Sequence, residues 1–113
     1  MADSCLFCRI AKREIPAAII AETDTAIAFR DIDPKAPLHV LVIPKAHVAT
    51  LNEAKDARMI GELTLLAAEI ARKEGYAERG YRTLINTNAD AGQTVFHVHL
   101  HLLAGRKLSW PPG

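Results

Sequence analysis

The sequence predicts one α+β domain, an antiparallel five-stranded sheet with one long helix on a face and a short helix at the N-terminus. Three observations carry this. Five apolar runs of strand length are separated by turn residues. One stretch, from Asn52 to Glu74, repeats its apolar residues at spacings of three and four. The strand connections outside that helix are short, which favours antiparallel pairing of neighbours. The 113 residues are enough for one hydrophobic core and too few for two, so residues 1–113 are read as a single domain.

The elements follow in order. Asp3 and Ser4 are good helix-capping types before Cys5 to Ala11, a short helical pattern with Leu6, Phe7 and Ile10 on its apolar face, finished before Pro16. Ala18 to Glu22 and Thr25 to Phe29 read as a hairpin around Thr23-Asp24. Arg30 to Pro37 holds two prolines and two aspartates and reads as a loop. Leu38 to Ile43 is almost wholly apolar and rich in β-branched residues, which suits a central strand buried on both faces, ended by Pro44. In the long helix, Met59, Ile60, Leu63, Leu66, Ala67, Ile70 and Ala71 form the buried stripe, and Gly75 stops it. Tyr81 to Asn86 is a strand, Thr87 to Gln93 a polar loop, and Val95 to Leu103 the final strand.

Composition removes several classes of function. Half of the residues are apolar and 24% are charged, a globular balance. A net charge of +1 and the lack of a Lys/Arg run give no field for a nucleic acid, so any phosphate site must be local. No run of roughly 20 apolar residues suggests a membrane span, and no secretory signal is visible. The expectation is a cytoplasmic, soluble protein. In that reducing setting the only two cysteines, Cys5 and Cys8, point to metal binding or plain packing rather than a disulfide.

The chemistry concentrates in His97-Val98-His99-Leu100-His101. Side chains two apart on a strand share a face about 6 to 7 Å apart, so this pattern predicts three imidazoles on one side and apolar residues on the other. Such a row can ligate zinc or attack phosphorus as a neutral nucleophile. The upstream segment Asn86 to Thr94, with its amides, small residues and hydroxyl, can turn backbone N–H groups toward an anion, which favours the second.

At these residues a family resemblance enters. Gly92-Gln93-Thr94-Val95-Phe96-His97-Val98-His99-Leu100-His101-Leu102-Leu103 closely resembles the signature of the histidine triad superfamily. Asp31-Ile32, Ala36-Pro37-Leu38-His39, Val42-Ile43-Pro44-Lys45 and the ending Trp110-Pro111-Pro112-Gly113 look like its nucleotide-binding, Hint-like branch. The resemblance implies a purine nucleotide-binding hydrolase, a nucleoside 5′-phosphoramidase or AMP-lysine type enzyme, that forms a covalent nucleotidyl-histidine. The alternatives are a regulatory or scaffold protein with incidental turnover, and a dinucleoside polyphosphate hydrolase.

Residue by residue, the resemblance makes His99 the nucleophile. His97 supplies the carbonyl that fixes its tautomer, His101 lies near the phosphate, and His39 hydrogen-bonds within the triad. Thr94 stands where many relatives carry Ser and can donate toward the leaving group. Asn86, Gly92 and Gln93 match phosphate-side positions, and Asp31 matches the carboxylate that takes the ribose hydroxyls. Leu6, Phe7, Ile10, Phe29 and Ile32 match the purine slot, with Arg30 where well-known relatives have His. The chemistry needs no cofactor. Cys5, Cys8, His47 and His97 resemble a structural zinc set found in a bacterial-type subset, against the simpler reading of two packed thiols. A homodimer is also implied, its sheet extended across the interface and Trp110 reaching the partner's leaving-group side.

Overall fold

The computed structural model describes residues 4–113. Asp3, one of the two expected caps of the first helix, lies outside them. That helix, α1 (Leu6–Ala11), is capped by Cys5 and not by Ser4: Cys5 is extended, and its Sγ accepts the Cys8 N–H at 3.4 Å. The same Cys5 side chain also faces the buried His97 ring.

Five strands follow, β1 (Ile19–Glu22), β2 (Ala26–Arg30), β3 (Leu38–Pro44), β4 (Tyr81–Ile85) and β5 (Leu100–Ala104), in the spatial order β1-β2-β3-β5-β4 with every pair antiparallel. All seven residues of β3 are buried, as its unbroken apolar run requires of a central strand. Pro44 is the strand's last residue rather than its terminator; it pairs opposite Ala26 at the end of the ladder, where a missing N–H is tolerated.

The long helix is α2 (Ala57–Lys73), shorter than expected at its start. Residues Leu51–Glu53 form a separate 3₁₀ turn capped by the Thr50 hydroxyl, and Asp56 begins α2 by accepting the Arg58 N–H at 3.0 Å. Two caps six residues apart divide what the apolar spacing alone joins. Helix α2 lays Leu63, Ala67, Ile70 and Ala71 on Ala28, Val40, Val42, Leu100 and Leu102, one face of the sheet. On the opposite face Phe7 and Ile10 of α1 cover Ile27, Phe29, Leu41 and Ile43. The period-two alternation of β3 therefore puts His39, with Leu41 and Ile43, on the α1 side. His101 joins them because it pairs with Leu41.

Two further boundaries differ from expectation. The loop after β4 contains a helical turn, α3 (Asn88–Ala91), closed by Gly92 at φ 87. The buried Gln93 side chain holds it, accepting the Asn88 N–H at 2.8 Å through Oε1 and donating to the Ala49 carbonyl at 2.9 Å. The last strand begins at Leu100, not Val95, and the final pair of the β3–β5 ladder is Val42 with Leu100. Residues 95–99 leave the ladder because their hydrogen bonds go elsewhere. The Val98 N–H donates to the Val48 carbonyl at 2.7 Å, and the His97 ring donates to the Pro44 carbonyl at 2.7 Å. Of the three alternating histidines only His101 sits in the strand, although Phe7 of α1 touches both His97 and His99 edge-on.

Candidate active site

The imidazoles of His39, His101 and His99 follow one another toward the end of the β3–β5 ladder, with His97 beyond it. Backbone groups set the tautomers of His39, His97 and His99, and His39 sets that of His101. A carbonyl only accepts and an amide only donates, so whichever touches one ring nitrogen dictates the other. The His97 carbonyl lies 2.8 Å from His99 Nδ1, so Nδ1 carries the proton and Nε2 keeps a free lone pair. The Lys35 N–H donates to His39 Nδ1 at 3.0 Å, so the His39 proton is on Nε2. That Nε2–H donates to His101 Nδ1 at 2.9 Å, which leaves the His101 proton on its own Nε2. Asp31 stands beside this pair, its Oδ2 3.4 Å from His39 Nε2 and its Oδ1 accepting the Asp33 N–H at 2.8 Å.

Lys35 is itself held through its carbonyl. Arg106 Nε donates to the Lys35 carbonyl at 2.8 Å. Beyond β5, Gly105 at φ 99 lets the chain approach Pro37 so closely that a Cβ there would lie 2.7 Å from the Pro37 Cβ. Only glycine serves at this point. The loop that bears Asp31 and Lys35 is thus closed against the strand that bears His101.

Burial keeps these rings neutral. It pulls the His99 imidazole below its ordinary value, overcoming the His97 carbonyl and the Asp31 carboxylate, which act the other way. His101 falls from 6.5 to about 4, through burial first and then the neighbouring His99 and His39. His39 and His97 are also lowered, chiefly by burial. At neutral pH the site therefore offers one unprotonated ring nitrogen, on His99, and one N–H donor, on His101.

Both rings line a cavity of about 310 Å³. Among the expected residues, Leu6, Phe7, Ile10, Phe29, Arg30, Asp31, Ile32 and Thr94 also line it. Ile32 is fully exposed at its mouth. Arg30 directs its guanidinium toward Glu74, the C-cap of α2, 3.4 Å away. Ile15, Pro16, Ala17, Leu41 and Val95 complete the wall and were missed by sequence reasoning. Leu41 was findable, since it is two residues from His39 on the same strand face. Ile15 to Ala17 lie in a connection, where periodicity gives no signal. The structure does not bring Asn86, Gly92, Gln93 or Trp110 to the cavity wall. Gln93 instead ties α3 to Ala49, and Trp110 is 82% exposed in a C-terminal segment held by Arg82, which donates to the Ser109 carbonyl at 3.0 Å.

A second cluster adjoins the first. Cys5 Sγ, Cys8 Sγ and ring nitrogens of His47 and His97 all lie within 4.8 Å of one another, a set that can hold a metal ion. His97 Nδ1 is 3.4 Å from each sulfur, and His47 Nδ1 is 3.2 Å from Cys8 Sγ. Zinc bonded to two thiolates and two imidazoles in a tetrahedron has ligand separations of roughly 3.3 to 3.8 Å, so the spacing fits. The His97 tautomer fits too. Its Nε2–H is committed to the Pro44 carbonyl, which presents the Nδ1 lone pair to the sulfurs. Without a cation, burial pushes the Cys8 thiol from 9.0 to about 11, with Cys5 adding to the effect.

Comparison with known proteins agrees with the fold and the row of histidines. A family model described as HIT domain matches residues 12–108, and the chain belongs to that family. Among its relatives, a purine nucleoside phosphoramidase of Escherichia coli K12 is 46% identical over 110 residues, covering 96% of this chain and 92% of that protein. An uncharacterised HIT-like protein of Synechococcus elongatus is 51% identical over 115 residues, covering 100% of both. A solved HIT family hydrolase from Legionella pneumophila Philadelphia 1 superposes with a TM-score of 0.95 at 48% identity, covering 97% of this chain and 100% of that one. No helix among the described residues is long and apolar enough to cross a membrane.

Proposed function

We propose that the protein is a purine nucleoside phosphoramidase in which His99 forms a covalent nucleotidyl intermediate. The observation that carries the reading is the 2.8 Å hydrogen bond from His99 Nδ1–H to the His97 carbonyl, which leaves Nε2 as a free base on a ring lining the cavity. Neutral imidazole is a competent nucleophile toward phosphorus without prior deprotonation.

In the first step His99 Nε2 bonds to the α-phosphorus and the bond from phosphorus to the leaving amine breaks. The departing nitrogen takes a proton from solvent, while His101 Nε2–H donates a hydrogen bond to the reacting phosphoryl group and His39 Nε2–H holds His101 in that tautomer. The nucleotidyl-imidazolium keeps its Nδ1–H on the His97 carbonyl, which disperses the positive charge. Water then attacks phosphorus, the P–Nε2 bond breaks to return neutral His99, and the surplus proton of the water passes to solvent. Asp31 takes the ribose hydroxyls, and the apolar wall of Phe7, Ile10 and Phe29 takes the purine. Thr94, at the cavity edge, donates toward the leaving group.

Zinc is the ion proposed for Cys5, Cys8, His47 and His97, where it would supply a structural tie between α1 and the segment after β3. The homodimer reading is supported by β4, an edge strand with an open outer side. Trp110 is assigned to the partner's leaving-group side, and a solution mass of one chain would overturn both assignments. Purine nucleotides in the cytoplasm are the expected substrate pool. The deciding experiment is a side-by-side assay of adenosine 5′-phosphoramidate and a dinucleoside polyphosphate. Faster turnover of the phosphoramidate, with AMP released, is expected; preference for the polyphosphate refutes the assignment.

A further inference from the structure

The His97–Val98 peptide is where the two clusters join. Its carbonyl receives the proton of His99 Nδ1, and its N–H donates to the Val48 carbonyl. The His97 ring, on the same residue, donates to the Pro44 carbonyl. Segment 44–48 thus grips this peptide from two of its own carbonyls. His47, inside that segment, faces Cys8, which in turn faces His97. The sheet does not help, because its ladder ends at Val42 and Leu100. Residues 95–99 have no strand partners, and the orientation of the carbonyl that sets the His99 tautomer depends on these few non-ladder contacts.

We propose that Cys5, Cys8 and His47 are positioning residues for His99, acting through the His97–Val98 peptide when a zinc-class divalent ion ties the four ligands together. The inference rests on His99 as the nucleophile. An ion bonded to His47 and His97 links the gripping segment to the gripped peptide directly. It replaces weak thiol–imidazole contacts of 3.2 to 3.4 Å with metal bonds of about 2.0 to 2.3 Å. Cys5 and Cys8 add α1 to the same tie, and α1 carries Phe7, whose ring stands edge-on to His99 at 5.0 Å. A looser peptide lets its carbonyl swing away from Nδ1, and the His99 proton then divides between the two ring nitrogens. Every molecule with the proton on Nε2 has lost its nucleophile, while the purine and ribose contacts remain.

His47 is the residue to change first, because its side chain is exposed and His47→Gln leaves the core intact. The measurements are zinc content, AMP affinity, turnover, and the ring ¹⁵N shifts of His99 in the wild type with zinc, the wild type after chelation, and the variant. Expected is loss of zinc, about a tenfold fall in kcat as for other residues that act through a metal's surroundings, and unchanged AMP affinity. The ¹⁵N shifts should move from a single Nδ1–H form toward a mixture. Chelation should produce the same changes in the wild type and nothing further in the variant. Cys8→Ser repeats the test from the other side of the site. Zinc lost with kcat and ring shifts unaltered overturns the proposal, and so does a zinc-saturated protein that retains well below one ion per chain. Ring shifts that follow zinc in a protein without phosphoramidate turnover would uphold the positioning and defeat the hydrolase reading instead.

Discussion

Two clusters of convergent ligands lie on the α1 side of this protein, Cys5–Cys8–His47–His97 and Asp31–His39–His101, and their compositions invite the same reading. Each has two imidazoles with acidic or thiol partners, and either could be drawn around a metal. The backbone separates them. A carbonyl, from Pro44, meets the far nitrogen of His97 and leaves a lone pair for a metal. An amide N–H, from Lys35, donates to the far nitrogen of His39, Nδ1, and leaves the ring proton on Nε2. A metal at His39 Nε2 would have to displace that proton while Nδ1 still faced a donor. The second cluster therefore presents a proton, and the first presents a lone pair that suits a cation. The chemistry of a histidine cluster is thus read from what stands behind the rings as much as from what they face.

His99 belongs to neither set and depends on both, so changing it should have the largest effect. His99→Ala should fold and bind AMP but lose turnover by roughly 10⁴- to 10⁶-fold, as when a covalent nucleophile is removed; near-normal rates would end the nucleophile reading.

The contrast between the clusters is tested next by His39→Gln. Turnover should fall about 10²- to 10³-fold, within the range for a lost hydrogen-bond donor to the reacting group, with zinc content unaltered. If zinc content fell with it, the division between the two clusters would be wrong.

Asp31→Asn asks for a binding effect instead. Loss of the charged acceptor should raise KM by about tenfold through weaker hydrogen bonds to the ribose, with kcat nearly unchanged. A fall confined to kcat would move Asp31 from sugar recognition to support of the His39–His101 pair.

The smallest effect expected is on stability against pH. His101 drops from 6.5 to about 4 on folding, so between those values the unfolded chain binds a proton that the folded chain does not. Stability is therefore independent of this group above pH 6.5 and falls as pH drops toward 4, where the loss levels off. His101→Gln should flatten that part of the Tm profile, and an unchanged slope would show that other groups govern it.

Much of the architecture was legible in the chain because it follows from local period. The unbroken apolar run of β3 marked the sheet's centre, and the three-and-four spacing of Leu63, Ala67, Ile70 and Ala71 marked the helix that covers it. The residues that the structure gathers were legible too: Asp31, Thr94, His99 and His101 at the cavity, His39 beside His101, and separately the Cys5, Cys8, His47 and His97 cluster. Less legible was the point where the last strand begins. Alternation continues from Val95 to Leu103, but pairing starts only at Leu100, since extended chain and hydrogen-bonded strand share one side-chain pattern. The same blindness joined residues 52–74 into one helix, although capping by Asp56 starts it at Ala57.

The sequence by itself determined which side chains exist and on which face of each element they emerge, because those depend on residues a few positions apart. Only the tertiary structure decided which nitrogen of each imidazole is free. That depends on Pro44 reaching His97 across 53 positions, and on the Arg30–Pro37 loop folding the Lys35 amide back onto His39. Backbone amides and carbonyls are the same in every residue, so no pattern of side chains announces which will arrive. Packing brings them there, and with them the difference between a ring that presents a lone pair and one that presents a proton.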